Sequence, residues 1–255
     1  MERVFNASNL YPADLLNRSG VKKLRDDKGR EFAWKSIFCG DAEVCMNNEI
    51  TFSKLAKRFD INAVRTRRAR FRKSHGIISK WFLNEQTQES RVLTLSPPRG
   101  IIPECFQEIS LLSAARDFEK LNNPEAIKNL VETYLHSVFI ANSDHRITQD
   151  YLTGRLYCKN IMTICDKRGK MLNLAPYHDM EASAHSGQRI QGTKGYEPEY
   201  IQIGYRKNLP ALRTKFKKLH DKYLDGLNSV DFTEYATGGM ITKLENQAAF
   251  MKDFK

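Results

Sequence analysis

The stretch from Asn160 to Asp179 limits the fold more than any other. Asn160-Ile161-Met162-Thr163-Ile164-Cys165 is a strand-forming run, Asp166-Lys167-Arg168-Gly169 is a turn, and a short return to Leu174 leads into Ala175-Pro176-Tyr177-His178-Asp179. The pattern predicts a β-hairpin. Antiparallel pairing brings the open ends of a hairpin together, so the amide oxygen of Asn160 and the carboxylate of Asp179 can converge on one point. Oxygen donors of this kind suit Mg²⁺, which takes one or two protein oxygens and completes its shell with water and phosphate. Asn and Asp are also ordinary turn residues, so the hairpin alone does not fix the chemistry.

Upstream, Ile127, Leu130, Val131, Tyr134, Leu135, Val138 and Phe139 recur on one helical face, with Asn123 placed as N-cap and Pro124 at the first helical position. The helix runs out at Ala141-Asn142-Ser143-Asp144-His145-Arg146, so a carboxylate follows directly on a rigid element. A base positioned by a helix, followed by two metal ligands, is what phosphoryl transfer requires.

Nearer the start, residues 21–25 and 30–38 flank the turn Asp26-Asp27-Lys28-Gly29 and predict a second hairpin. Lys35 alternates with Trp34 and shares its side with Ala33 and Ile37. A lysine on a half-buried strand needs an anionic partner. The next helix, with Phe52, Leu55, Ala56 and Phe59 on its apolar face, carries Glu49 on that same face. A Lys35–Glu49 pair would hold the ammonium for contact with nucleotide phosphates. Two more strands are expected over residues 64–72 and 77–83, joined by Lys73-Ser74-His75-Gly76.

This order of parts resembles the HipA-like serine/threonine kinases, a family that includes toxin kinases of bacterial toxin–antitoxin systems and compact translocated kinases. The resemblance runs from about Asn17 to Met180. It is carried by Met46-Asn47-Asn48-Glu49 before Leu55-Ala56-Lys57-Arg58-Phe59-Asp60-Ile61, by Ile78-Ser79-Lys80-Trp81-Phe82, by Asn142-Ser143-Asp144, by Lys159-Asn160, and by Leu174-Ala175-Pro176-Tyr177-His178-Asp179-Met180. It implies an α+β, two-lobed, protein-kinase-like fold with an antiparallel-sheet N-terminal lobe and a mainly helical C-terminal lobe. The implied activity is ATP- and Mg²⁺-dependent phosphorylation of a Ser or Thr hydroxyl on a protein, with Ser19 a candidate for self-phosphorylation. Ser19, Gly20, Val21 and Lys22 would then lie in the phosphate-covering loop, Lys35 would bind phosphate with Glu49 orienting it, and Phe82 would lie in the lobe connection beside adenine. Asp144 would be the base, Lys159 a phosphate contact, and Asn160 and Asp179 the Mg²⁺ ligands.

Two departures from the family pattern matter. Residues 146–158 are inserted between Asp144 and Asn160, which leaves Asp150 as a rival base. The phosphate loop has a single glycine where glycine would allow close backbone approach, so a catalytically weak pseudokinase is an alternative.

With 41 Lys and Arg against 30 Asp and Glu, the chain carries a formal charge of +11 and favours anionic partners. Arg65, Arg67, Arg68, Arg70, Arg72 and Lys73 could be drawn as a basic recognition helix after the Phe52–Phe59 helix, giving nucleic-acid binding as the competing reading. Val64, Thr66 and Phe71 within the run fit a strand better. The five cysteines lack a Cys-x-x-Cys pair, which points to reduced thiols and no zinc site. Pro97-Pro98-Arg99-Gly100 marks a break between lobes, taken as 1–98 and 99–255. Residues 192–205 read as irregular, and 210–227 as a basic amphipathic helix packed on the larger lobe. Signal-peptide and transmembrane-length apolar runs are absent, so the expectation is a cytoplasmic protein, with secretion by a signal-independent route left open. An antitoxin or a host protein is the partner class that the family offers.

Overall fold

Asp26 builds the first hairpin: its Oδ1 accepts the backbone N–H groups of Lys28 (3.0 Å) and Arg30 (2.8 Å), and Gly29 takes the left-handed φ of 74° that the turn needs. The strands on either side are β3 (Val21–Arg25) and β4 (Glu31–Ser36), with Val21 opposite Lys35. The computed structural model describes residues 5–7, 10–14, 21–37, 41–84, 86–90, 119–120, 122–140, 142, 147–149, 156–158, 163–168, 170–178, 180 and 198–252.

The strands β5 (Arg67–Phe71) and β6 (Ser74–Lys80) form the next hairpin, and β6 pairs with β4. The connection is tighter than the sequence suggests. Arg72 adopts a φ of 55° and reverses the chain, so Ser74, His75 and Gly76 already belong to β6. The basic run is therefore strand, not recognition helix. β1 (Phe5–Asn6) adds in parallel to β5 and β2 (Tyr11–Asp14) pairs with β3, giving one six-stranded sheet in the order β1-β5-β6-β4-β3-β2. Leu24, Trp34, Ala69, Phe71 and Ile78 make a small core on one of its faces.

Helix α1 (Ala42–Arg58) is capped by Asp41, whose side chain accepts the N–H groups of Glu43 and Val44. It has two buried ends with different partners. Cys45, Met46 and Ile50 pack on Ile37 and Ile77 of the sheet segment, whereas Phe52, Leu55 and Ala56 enter the large core built by the C-terminal helices. Cys45 is disulfide-bonded, which corrects the expectation of uniformly reduced thiols, while Cys165 is a buried free thiol.

Helix α2 (Pro124–Phe139) starts where its signals place it: Asn123 Oδ1 accepts the Ala126 N–H and its Nδ2 donates to the Leu172 carbonyl at 2.7 Å. That second bond ties the helix to the three-stranded sheet β11 (Met171–Leu174), β10 (Thr163–Asp166) and β7 (Thr87–Ser90). Asp166 Oδ1 organises the β10–β11 turn by accepting the N–H groups of Arg168 and Lys170. The inserted segment closes on itself as a separate hairpin, β8 (Ile147–Gln149) with β9 (Leu156–Cys158). Helix α3 (Pro198–Asn228) begins earlier than expected, taking in residues read as irregular, and is broken by non-helical backbone at Phe216. A 3-10 turn (Phe232–Glu234) leads to α4 (Gly239–Lys252). Phe216, Leu219, Tyr223 and Leu227 of α3 pack into the large core. No helix among the described residues is long and apolar enough to cross a membrane.

At the centre of that core His136 is completely buried, with Nδ1 3.0 Å from the Tyr223 hydroxyl. Burial pushes its pKa from 6.5 down to about 3, opposed only in part by the Phe52 backbone. The folded ring therefore stays neutral where the unfolded ring takes up a proton. Between pH 6.5 and about 3 this group is expected to remove stability as pH falls, at about 1.4 kcal/mol per pH unit. Denaturant titrations at pH 7.5, 6 and 5 check this, and the slope should flatten in His136→Gln.

Candidate active site

Helix α1 joins the sheet that carries Lys35 to the segment after β11, which it holds through Glu49 and Met180. Lys35 lies opposite Ile77 on β6, so it shares the face on which Ile77 packs against Met46 and Ile50 of α1. Glu49 follows Asn48 on the same helix and is only 2% exposed. Its Oε2 accepts the backbone N–H of Met180, a contact that spans 131 residues of sequence. The helix that carries the predicted Lys35 partner thus holds the residue next to Asp179.

Four further hydrogen bonds fix this segment. The Tyr177 N–H donates to the Asn62 carbonyl (2.8 Å) and the Val64 N–H donates to the Tyr177 carbonyl (2.9 Å), forming a parallel bridge at Ala63. The Tyr177 hydroxyl accepts hydrogen bonds from Ser137 Oγ (3.0 Å) and Asn142 Nδ2 (2.9 Å). Tyr177 and Asn142 are both buried. A single side chain therefore registers the segment before Asp179 against the end of α2, two residues before Asp144. Sequence reasoning missed Tyr177, Ser137 and Asn142 as positioning groups, although the first and last lie in the motifs already singled out.

Phe82 lies beside this segment, its ring 5.8 Å from that of His178 and 6.2 Å from Trp81. Lys23 Nζ sits 5.3 Å over the Trp81 ring and makes a 2.9 Å ion pair with Glu31, whose carboxyl the hydrogen bonds from Arg25 and Lys23 hold below its ordinary range. Val21 and Lys22 lie in β3. The Lys22 ammonium stands over Trp34 and Phe71, on the sheet face away from Lys35, so its side chain is turned from the site that the phosphate-loop expectation gives it.

Ser19, Gly20, Asp144, Lys159, Asn160 and Asp179 fall outside the described residues, as does Asp150. The strands that flank several of them are described. In the inserted hairpin Ile147 pairs with Cys158 and Gln149 with Leu156. The open end of that hairpin joins the chain from Asp144 to the chain toward Lys159, and residues 150–155 connect its closed end. In the second hairpin Thr163 pairs with Leu174, so the chain enters from Asn160 and leaves toward Asp179 at the same end.

Arg68, from the basic strand, is taken up by α1: it pairs with Glu43 and donates to Asn47 Oδ1. The hydrogen bond from Arg68 to Glu43 holds that carboxyl below its ordinary range. Among the described residues no cluster of three His, Cys, Asp or Glu side chains offers a metal site.

No protein-family model and no curated protein matches the chain. Its fold does match solved structures. The proinflammatory kinase CtkA of Helicobacter pylori superposes over 98% of this chain and 94% of its own, with a TM-score of 0.57 at 10% identity. The HipA toxin of Shewanella oneidensis, solved with HipB and operator DNA, covers 96% of this chain and 67% of its own at a TM-score of 0.46 and 11% identity. The golgi casein kinase covers 100% and 73%, at 0.45 and 10%. The likeness to CtkA shows a kinase-like α+β fold over nearly the whole chain, in line with the resemblance carried by the motifs.

Proposed function

We propose that this chain is an ATP- and Mg²⁺-dependent serine/threonine protein kinase of the toxin or effector type, with lobes at 1–98 and 99–255. The observation that carries the reading is the buried Glu49 on the helix packed against the Lys35 face, accepting the N–H of the residue after Asp179. A phosphoryl-transfer site needs a cation on the phosphates, an acid to orient it and oxygen ligands held opposite. Lys35, Glu49 and the pair Asn160 and Asp179 are the residues we assign to these tasks.

The amide and carboxylate oxygens of Asn160 and Asp179 are the hard donors that Mg²⁺ prefers, and Tyr177 and Met180 anchor the backbone on both sides of Asp179. When bound, the ion would neutralise charge on the transferring phosphoryl group. The chain's own part is positioning: Lys35 on phosphate, Phe82 and the Trp81 backbone region beside the base, Lys159 as a further phosphate contact, Ser19 and Gly20 covering the anion.

For the base, Asp144 is favoured over Asp150. The β8–β9 pairing brings Ile147 and Cys158 together, so the insertion closes on itself; Asp144 precedes it in the sequence and Asp150 falls within it. The acceptor is a Ser or Thr hydroxyl, on a partner protein or at Ser19.

The test is transfer of label from γ-labelled ATP to the chain itself or to a mixed protein acceptor, with and without Mg²⁺. Mg²⁺-dependent phosphoserine or phosphothreonine is expected. Absence of transfer, or equal transfer in the presence of excess chelator, would end the assignment. Asp144→Asn is expected to abolish it while Asp150→Asn leaves it; the reverse result would move the base.

A further inference from the structure

A cavity of about 740 Å³ opens away from the candidate active site, where the second half of α1 meets the sheet and the 3-10 turn. Its wall on the helix side carries Lys54, Lys57 and Arg58, which fall three and four residues apart and so line one face. The opposite wall carries Arg65, Arg67 and Lys80. All six cations are exposed, and among the described residues Glu234 is the one carboxylate in the lining. Phe32 and Ile78 form an apolar floor and belong to the sheet face of Trp34, opposite to that of Lys35. None of Lys57, Arg58, Arg65 and Lys80 meets a carboxylate within salt-bridge distance among the described residues.

Cations gathered in a concavity repel one another, and an opposite charge entering it relieves that repulsion. The form of the cavity narrows the choice of anion. A duplex is too broad to enter a recess of about 740 Å³. A single strand would enter, but it binds chiefly by laying bases on free aromatic faces. Here the Phe32 ring is already packed against Phe5 at 6.5 Å, and Arg67 lies 3.9 Å over Phe5. A nucleotide also brings one phosphate with a bulky sugar and base, whereas an acidic peptide brings a carboxylate on each small residue. Six cations around so limited a volume match the denser charge. The floor of Phe32 and Ile78, with Tyr235 at the rim, suits apolar side chains placed among the carboxylates.

We infer that this cavity is a docking site for an acidic segment of a partner protein, one that interleaves carboxylates with apolar residues. The site is separate from the phosphoryl-transfer assignment and stands whether or not that assignment holds. It touches α1 one to two turns beyond Glu49, on the exposed side of the same helix.

Fluorescence anisotropy on the full chain, at physiological ionic strength, tests the site with a labelled peptide of Glu residues interspersed with Leu. The comparison probes are the same peptide with Gln for Glu and an oligouridylate of equal formal charge. The acidic peptide is expected to bind, the Gln peptide not, and the oligouridylate at least tenfold more weakly. The double variant Lys57→Glu with Arg58→Glu should weaken the acidic peptide at least tenfold, as should Arg65→Glu on the other wall. Arg72→Glu, an exposed cation outside the cavity, should change it less than twofold. Tighter binding of oligouridylate would replace the acidic segment with a nucleic acid. An equal loss in Arg72→Glu would reduce the effect to diffuse surface charge, and no binding of the acidic peptide would remove the site.

Discussion

Glu49→Ala is expected to lower label transfer about 100-fold and to destabilise the fold by about 2 kcal/mol, the first through loss of positioning and the second through a buried N–H left without its acceptor. The two effects have different origins. Met180 loses the carboxylate that receives its N–H, in a place from which water is largely excluded. Lys35 loses the acid assigned to orient it. Glu49→Gln separates them, because the amide oxygen can still accept from Met180 but carries no charge. Its stability should stay within about 1 kcal/mol of the parent, while transfer falls at least tenfold. Unchanged transfer in both variants would remove Glu49 from the machinery, and full activity in Glu49→Gln alone would reduce its role to holding the 177–180 segment.

Gly76→Ala is expected to cost about 3 kcal/mol, at the upper end of what overpacking removes. An added Cβ would lie 2.3 Å from the Lys35 carbonyl oxygen and 3.2 Å from Trp34 Cε2. The first of these is backbone and cannot rotate away. β4 would have to move relative to β6 at the register pair Ser36 and Gly76, immediately beside Lys35. The variant should therefore lose transfer as well as stability, whereas Ala at the exposed neighbour His75 should stay within about 0.5 kcal/mol. Urea midpoints with an unchanged slope would check the first part. A Gly76→Ala protein of parental stability would show that the ladder accommodates a side chain there.

The first and last hairpins and the start of α2 were legible because their signals are local. Asp26 and Asp166 each organise a turn through their own side chains, and Asn123 with Pro124 marks a helix start within two residues. Lys35 and Glu49 were legible for a different reason: each is a charged residue on an apolar face, which is unfavourable without a purpose. What escaped was long-range. Nothing in residues 87–90 announces that they pair with β10, and nothing in Tyr177 announces Asn62. The connection at Arg72 was misread because a left-handed arginine leaves no trace in composition, and the early start of α3 because Gly192 and Pro198 suggested a loop.

The divided packing of α1 decides which parts of this protein can swing. Phe52, Leu55 and Ala56 are wholly enclosed by the helical core, while Met46 and Ile50 touch the sheet. The rear of the helix is thus built into the helical core, and only its front turns lie against the sheet. Were the sheet to shift against the helical core, Ile37 and Ile77 would slide across Met46 and Ile50, while Glu49 would keep its hold on Met180.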